Sequence, residues 1–301
     1  MKHVVALLFI VVVTSACASG SGSTRAAPEP AAASCPRQPI EDVATRAPLI
    51  LVLDVTFEDR GLGPYAMEDV ERDFGAPSQT TGIAGGRTHV VVDPACAANH
   101  ALRIAYPAGA FGSEKSGAQW VTPLPPGASE GVLSYRVRVG AGFDPVGGGK
   151  LPGLAGGTAP AGGHVPTGDD GWSGRFMWHE GAALEVYLYH VAQLTEYGDG
   201  YFLQAKTEPA RLVPEVWHQV TQYVALNHLE AADGVLRVWF DGELVLDRRD
   251  IRFRTAANVQ IDRLFVSTFF GGDDPSWASR QDEAILFDDI TVSLVLPASS
   301  P

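Results

Sequence analysis

Lysine is the scarcest charged residue in this chain of 301 residues: it occurs at Lys2, Lys115, Lys150 and Lys206. Lysine and arginine together number 22 against 35 aspartates and glutamates, which gives a formal net charge of −13. General nucleic-acid binders are basic, so this charge excludes that class of protein. A polyanionic ligand is not excluded, but any cationic site for it must be local.

Long apolar runs are also lacking. The run Val4–Val13 has ten residues, which is too short to cross a bilayer. With Lys2 before it and the small residues of "TSAC" after it, this run predicts a signal peptide over residues 1–16. Cys17 follows those small residues as in the lipobox of bacterial lipoproteins. We therefore expect lipidation at Cys17, with ordinary cleavage as the alternative.

The predicted signal makes this an exported protein. Lipidation would make it a bacterial envelope protein that meets the membrane only through its lipid; otherwise it is periplasmic or secreted. The other two cysteines, Cys35 and Cys96, predict one disulfide, with two unpaired thiols as the alternative. Residues 17–48 are small, polar and proline-containing and predict a flexible tether and lead-in. A folded domain is then expected over residues 49–297.

Within that domain, long amphipathic helical patterns, repeats and βαβ alternation are missing, and β-rich stretches follow one another. The run 235–247 holds Asp241-Gly242, a favoured two-residue hairpin turn. Short strands with Gly, Pro and Asp turns predict an all-β fold, a single-domain antiparallel β-jelly-roll sandwich. The predicted strands are 49–57, 131–139, 183–190, 217–226, the two halves of 235–247, 262–270 and 284–296.

The segment "GGGKLPGLAGG" at residues 147–157 places one of the few lysines, Lys150, among glycines. A phosphate-binding Walker loop fails here, because Asp144 stands where the first glycine belongs and Leu151 follows the lysine. A dinucleotide fingerprint fails at Pro152. We interpret the segment as a glycine-hinged loop that brings Lys150 to the edge of the sandwich.

A polar row follows downstream. Ser173 and Arg175 are two residues apart, as are Tyr187 and Tyr189, so each pair shares one face of a strand. If the two strands are neighbours, the four side chains form one polar surface that Lys150 can join. A hydrated sheet face, as in an envelope structural protein, is the alternative.

These residue types suit β-elimination from a uronic acid polymer. Removing the C5 proton adds negative charge to the neighbouring carboxylate, which Arg175 and Lys150 can neutralise. Tyr187 and Tyr189 can supply the base and the acid, in an order that the sequence leaves open, because nearby cations lower a phenol pKa. Ser173 can hydrogen-bond the carboxylate or a sugar hydroxyl. No metal ion is required by this chemistry.

Taken in order, several stretches are similar to polysaccharide lyase family 14, which comprises alginate and glucuronan lyases with a β-jelly-roll fold. They are "GGGKLPGL", "GWSGRFMW", "YLYH", "WHQVTQYVALN", "GVLRVWFDGELV" and "FVSTFFGGDDPSW", spread over about residues 133–293. The resemblance implies that the family's catalytic lysine, serine, arginine and two tyrosines correspond to Lys150, Ser173, Arg175, Tyr187 and Tyr189.

An anionic polysaccharide is therefore the expected partner. A non-catalytic carbohydrate-binding envelope lipoprotein of the same fold is the alternative. Which uronan is cut, and whether from the ends or internally, stays open. Pro145 stands just before the lysine segment, where an apolar residue other than proline is expected, and could re-aim Lys150.

Other residues are candidates for substrate contacts. His164 lies between the lysine segment and the serine–arginine strand, and Phe270 and Trp277 flank "GGDD", where aromatic rings could stack on sugars. Adjacent strand residues face opposite ways, so one of Phe269 and Phe270 is expected in the core.

We expect no cofactor and a monomeric protein. The pairs Asp169-Asp170 and Asp273-Asp274 are candidates for a structural calcium ion, although they lack the spaced ligands of an EF-hand loop. Their default interpretation is as turn residues.

Overall fold

The computed structural model describes residues 47–206 and 208–297, together with Val43 and Thr45. These residues form one α-helix, α1 (Met67–Phe74), and two short 3-10 helices, Glu180–Ala182 and Pro275–Trp277. The strands, numbered in chain order, are β1 Ile50–Val55, β2 Gly63–Pro64, β3 Ser78–Thr81, β4 Thr88–Asp93, β5 Cys96–Tyr106, β6 Ala118–Pro123, β7 Glu130–Val139, β8 Gly148–Gly157, β9 Gly171–His179, β10 Leu184–Tyr189, β11 Asp199–Phe202, β12 Gln204–Ala205, β13 Glu208–Pro209, β14 His218–Ala225, β15 Gly234–Phe240, β16 Glu243–Ile251, β17 Arg263–Thr268 and β18 Glu283–Val295.

Two large antiparallel sheets carry the architecture. One has the order β16-β15-β14-β7-β18-β5-β4-β2, with β1 added on β18, and the other has the order β11-β10-β9-β8-β17-β6-β3. Strands β12 and β13 form a small separate ribbon. Neighbours in these sheets are often distant in the chain, as β8 and β17 are. The predicted all-β jelly-roll sandwich is confirmed, and the described residues all belong to one compact unit.

The core lies between the two large sheets, and period-two alternation decides which side chains enter it. From β7, Leu133 and Tyr135 are fully buried, and they share one cluster with Trp172 and Phe176 from β9. Ser173 and Arg175 alternate with those two aromatic residues and therefore lie on the opposite face of β9. The face of the seven-stranded sheet that turns away from the core thus receives the polar row.

The predicted strands are present, and the turn at Asp241 and Gly242 joins β15 to β16 with positive φ angles of 50° and 80°. Helix α1 was not expected from the sequence. It has only eight residues, which is too short for a clear helical period.

The lysine segment is a strand, β8, and not the predicted loop. Its pairing with β9 changes register between Leu151 and Leu154, which marks a β-bulge. Side chains of the other sheet satisfy the backbone there: the Leu154 amide donates to Gln222 Oε1 at 2.9 Å, and Tyr135 Oη donates to the Pro152 carbonyl at 3.3 Å. The bulge lets Lys150 and Ala155, five residues apart, face the same side of the sheet.

Glycine is required at position 149 because neighbouring groups approach its backbone closely. A Cβ atom there would lie 2.1 Å from Trp178 Cζ2 and 2.4 Å from the Phe269 carbonyl oxygen. The Lys150 amide donates to that same carbonyl at 2.9 Å, so the close approach also fixes the backbone of the lysine.

We expect Gly149→Ala to lower the free energy of unfolding by about 2 kcal/mol, because the added methyl group must displace the buried indole of Trp178 or the backbone of Phe269. Chemical denaturation monitored by tryptophan fluorescence measures this loss. Gly61→Ala is the matched control, since a Cβ at Gly61 meets no atom within 4 Å. Equal stability of the two variants would contradict the close-packing argument.

Several predictions concern the N-terminal region. The signal peptide over residues 1–16, Cys17 and Cys35 lie outside the described residues. Cys96, at the start of β5, is disulfide-bonded, while its pairing with Cys35 stays a prediction. Val43, within the predicted lead-in, is buried and packs with Val132 of β7. No helix among the described residues is long and apolar enough to cross a membrane.

Candidate active site

A cleft of about 630 Å³ opens on the face of the seven-stranded sheet that turns away from the core. Four of the five residues predicted to be catalytic line it: Lys150, Arg175, Tyr187 and Tyr189. They come from three adjacent strands, β8, β9 and β10, in which Arg175 pairs with Tyr187. The sheet therefore brings together side chains that are up to 39 positions apart in the sequence.

Lys150 is 9% exposed, and its ammonium has no carboxylate within ion-pair distance among the described residues. Nζ lies 2.6 Å from Met177 Sδ and 4.0 Å from the centroid of the Tyr187 ring. Burial, together with the charge of Arg175, holds the pKa of Lys150 well below its usual range, and the Glu185 carboxylate only partly opposes this. Burial thus favours the uncharged amine over the ammonium.

Arg175 is also buried without a carboxylate partner among the described residues. It is 3% exposed, its Nη1 donates to Ser267 Oγ at 3.2 Å, and its guanidinium stacks 4.6 Å from the centroid of Phe265. Its Nε has no hydrogen-bond partner in the part of the chain that the structure describes. Burial lowers the pKa of Arg175 to about 10, so the group stays charged at neutral pH. A fixed, incompletely bonded guanidinium is suited to bind a carboxylate.

The two tyrosine hydroxyls touch, with their oxygens 3.3 Å apart and their rings perpendicular. The Gly163 amide donates to Tyr189 Oη at 3.3 Å. Burial, and next the hydrogen bond with Tyr189, raises the pKa of Tyr187 above its usual value, so this phenol keeps its proton. Pro145 does not aim Lys150 away from the cleft; its carbonyl accepts a hydrogen bond from Trp178 Nε1.

The sequence profile of the family described as Polysaccharide lyase 14 matches residues 95–290. The chain belongs to this family. Solved alginate lyases share the fold. Alginate lyase Aly36B is 24% identical, with a TM-score of 0.71 over 82% of this chain and 98% of that one. The alginate lyase from Aplysia kurodai is 22% identical, with a TM-score of 0.67 over 82% of this chain and 100% of that one, and alginate lyase vAL-1 from Chlorella virus is 19% identical, with a TM-score of 0.59 over 73% of this chain and 100% of that one. No curated protein matches the sequence.

In this polysaccharide lyase family 14 member, Ser173 does not line the cleft, contrary to the predicted substrate contact. It is fully buried, and its hydroxyl donates to the Pro160 carbonyl at 2.5 Å. Ser173 pairs with Tyr189 across β9 and β10, and the loop after Pro160 supplies the Gly163 amide to that tyrosine. The serine therefore supports the loop that holds Tyr189.

The structure places two of the three predicted substrate contacts outside the cleft lining. Phe270 is fully buried in the core against Tyr106 and Trp178, whereas its neighbour Phe269 lines the cleft. His164 is exposed, and its Nε2 lies 2.7 Å from Asp170 Oδ2, outside the cleft lining.

Trp277, the third predicted contact, does line the cleft, next to Gly272. The tryptophan and Phe269 offer two aromatic side chains that a sugar ring could approach.

The cleft residues that the sequence reasoning did not predict include Glu185, His179 and Met177. Glu185 shares the face of Tyr187 and Tyr189, and His179 and Met177 share that of Arg175, so alternation from the known site residues would have found them.

The aspartate pairs considered for calcium are engaged in local turns. Asp170 accepts a hydrogen bond from the Thr167 amide at 2.9 Å. The Asp274 side chain accepts from the Ser276 amide and so caps the 3-10 helix Pro275–Trp277. Among the described residues, no group of three or more His, Cys, Asp or Glu side chains could hold a metal ion.

Proposed function

We propose that the protein is a polysaccharide lyase that cleaves an anionic uronic-acid polymer, alginate or glucuronan, by β-elimination. One observation carries the proposal: Arg175 is a buried cation without a carboxylate partner among the described residues, and it shares a cleft with buried Lys150 and two touching phenols. Burying an unpaired charge is costly unless a ligand compensates it. A uronate carboxylate is such a ligand.

The related fold supports the choice of polymer. Variants of alginate lyase Aly36B were solved in complex with an alginate tetrasaccharide and an alginate trisaccharide. In the first variant a lysine and a tyrosine are replaced by alanine, the residue types that meet here as Lys150 and Tyr187.

In the proposed reaction Arg175 holds the uronate carboxylate and offsets the charge that develops on it when C5 loses its proton. Ser267 keeps the guanidinium in place: it accepts from Arg175 Nη1 and donates to Gln119 Oε1 at 3.2 Å. Arg175 is buried at the cleft, so this electrostatic stabilisation is screened little by water.

Lys150 is then better suited to be the base than to neutralise charge, because burial favours its uncharged amine. It takes the C5 proton, the electron pair forms the C4–C5 double bond, and the C4–O bond breaks. Tyr187, which keeps its proton, protonates the departing oxygen. Lys150 Nζ lies over the Tyr187 ring, 4.0 Å from its centroid, and the proton that it takes must return to the phenolate before the next turnover.

The proposed setting is the bacterial envelope, with export by the signal peptide and anchoring through a lipid on Cys17. A polymer outside the cell would then reach the cleft directly.

We expect the protein to generate unsaturated, ultraviolet-absorbing ends from at least one of alginate, polymannuronate, polyguluronate and glucuronan. Absorbance is followed on each polymer for the wild type and for Tyr187→Phe. The phenylalanine variant keeps the ring beneath Lys150 but has no proton to give, so we expect its kcat to fall at least about a hundredfold.

Tyr201→Phe is the control, because Tyr201 lies on β11 outside the cleft lining. Retention of a polyuronate on immobilised protein without any product would instead support the non-catalytic carbohydrate-binding alternative.

A further inference from the structure

The cleft continues beyond the side chains that the proposed reaction uses. In the seven-stranded sheet, β17, β6 and β3 follow β8 on the side away from the two tyrosines, and each contributes a residue to the cleft lining: Phe265, Gln119 and Gln79. Neighbouring strands lie about 4.8 Å apart, so the distance across the sheet from β9, which carries Arg175, to β6 is about 14 Å. This is longer than one sugar unit. A polymer that runs across these strands can therefore place a second unit over β17 and β6.

Gln119 presents a hydrogen-bond donor at this place. Arg175 Nη1 donates to Ser267 Oγ, and the Ser267 hydroxyl in turn donates to Gln119 Oε1 at 3.2 Å. This bond orients the amide with its oxygen toward Ser267 and its nitrogen away from it. The amide nitrogen carries two hydrogens, and its acceptor among the described residues is the Gln79 carbonyl, at 3.4 Å. At least one hydrogen of Gln119 thus remains for a ligand.

The backbone at Gln79 is unusual for a glutamine. Its φ angle is 52°, in the left-handed region that few residues other than glycine adopt. The pairing of β3 with β6 changes register between Ser78 and Thr81, which marks a β-bulge, and bulges re-aim side chains. Gln79 lies within this irregularity, is exposed and lines the cleft. The bulge therefore brings a second amide side chain to the cleft beside Gln119, despite the local strain.

The floor between Arg175 and Gln119 is aromatic. Phe265 lines the cleft there, and the Arg175 guanidinium lies 4.6 Å from the centroid of its ring. An apolar floor with a few well-placed polar groups is typical of small-molecule binding sites. Carboxylate and hydroxyl oxygens both accept from an amide N–H, and an amide adds no further buried charge to the cleft. This surface is therefore suited to a uronate unit of an all-uronate polymer.

We propose that Gln119 and Gln79 form a neutral subsite that binds the uronate unit next to the one held by Arg175, by donating amide hydrogen bonds to its carboxylate or hydroxyl oxygens. The inference rests on the proposed lyase function and extends its substrate site by one unit toward β6 and β3. An oligomer that is long enough to reach β6 should then bind more tightly than a shorter one.

The test measures binding separately from cleavage. The protein carrying Lys150→Ala is titrated calorimetrically with mannuronate oligomers and with glucuronate oligomers of increasing length, from the disaccharide upward. We expect one chain-length step at which the affinity rises about tenfold, because hydrogen bonds to a charged group have effects of this order. Gln119→Met, made in the same background, keeps the length of the side chain but has no amide, and it should remove that step.

Gln79→Gly is the second variant, since glycine adopts a positive φ angle without strain. Because the Gln79 side chain is exposed and its hydrogen bonds compete with water, we expect this variant to reduce the step from about tenfold to about threefold. Gln204→Met is the matched control, at an exposed residue of β12 outside the cleft lining, and should leave the step unchanged.

A Gln119→Met variant that weakens the binding of every oligomer by the same factor would overturn the subsite, because the glutamine would then act only by holding Ser267 and Arg175. Unchanged affinities in that variant, or no chain-length step in either oligomer series, would overturn it as well. If Gln119→Met does not fold, Gln79→Gly decides alone, and an unchanged step contradicts the proposal. A step that depends on Gln119, together with no product from any polyuronate with the wild type, would refute the lyase function and leave the subsite standing.

Discussion

Lys150→Ala should lower kcat by about a thousandfold on the polymer that the wild type cleaves, because a positioned general base contributes on this order. Lys150→Arg should lower kcat about as much as Lys150→Ala does. Arginine keeps the positive charge but does not release a proton in proteins, so it cannot take the C5 proton. Initial rates of ultraviolet absorbance at saturating polymer measure both effects.

Lys206→Ala provides the control, since the Lys206 side chain is 83% exposed and its Nζ lies 3.9 Å from Glu243 Oε2. It should retain wild-type kcat. If Lys150→Arg instead keeps a tenth or more of the activity, the lysine acts through its charge. The base must then be a tyrosine, as the sequence alone suggested. The arginine variant therefore decides between the two roles for Lys150.

Much of the site could be predicted from local sequence, because alternation assigns strand faces without any knowledge of the fold. Trp172 and Phe176 lie in the core and Arg175 in the cleft, as the period of two requires. The family resemblance added the pairing of this strand with Tyr187 and Tyr189. Spacing by itself could not show that the two strands are neighbours.

The errors have a common physical origin in contacts that are remote in sequence. The bulge that turns Lys150 toward the cleft is stabilised by Tyr135 and Gln222 from the other sheet, so the lysine segment looked like a loop. The choice between Phe269 and Phe270 depends on where β17 ends, which the sequence does not mark. Ser173 was assigned correctly to its face, but the Pro160 carbonyl that accepts from its hydroxyl comes from a folded-back loop.

Replacing Arg175 should cost nearly as much as replacing Lys150. We expect Arg175→Met to lower kcat/KM by about a thousandfold, because the developing negative charge then lacks its buried counter-charge. Arg175→Lys keeps the charge but loses the planar fork, and its loss should be about ten- to a hundredfold. Arg249→Met, at a side chain that is 65% exposed, is the control and should leave kcat/KM unchanged.

The pH profile distinguishes this role from a merely structural one. A base must be unprotonated, so kcat/KM rises as the pH rises through the pKa of Lys150. The positive charge of Arg175 lowers the pKa of Lys150, so the loss of that charge in Arg175→Met should raise the pKa of Lys150. The acid limb of the profile should therefore move to higher pH in Arg175→Met and stay in place in Arg175→Lys. An acid limb that does not move in the methionine variant would mean that Lys150 is not the titrating base, or that the charge of Arg175 does not affect the pKa of Lys150. A limb that moves equally in both variants would show that geometry and not charge links the two residues.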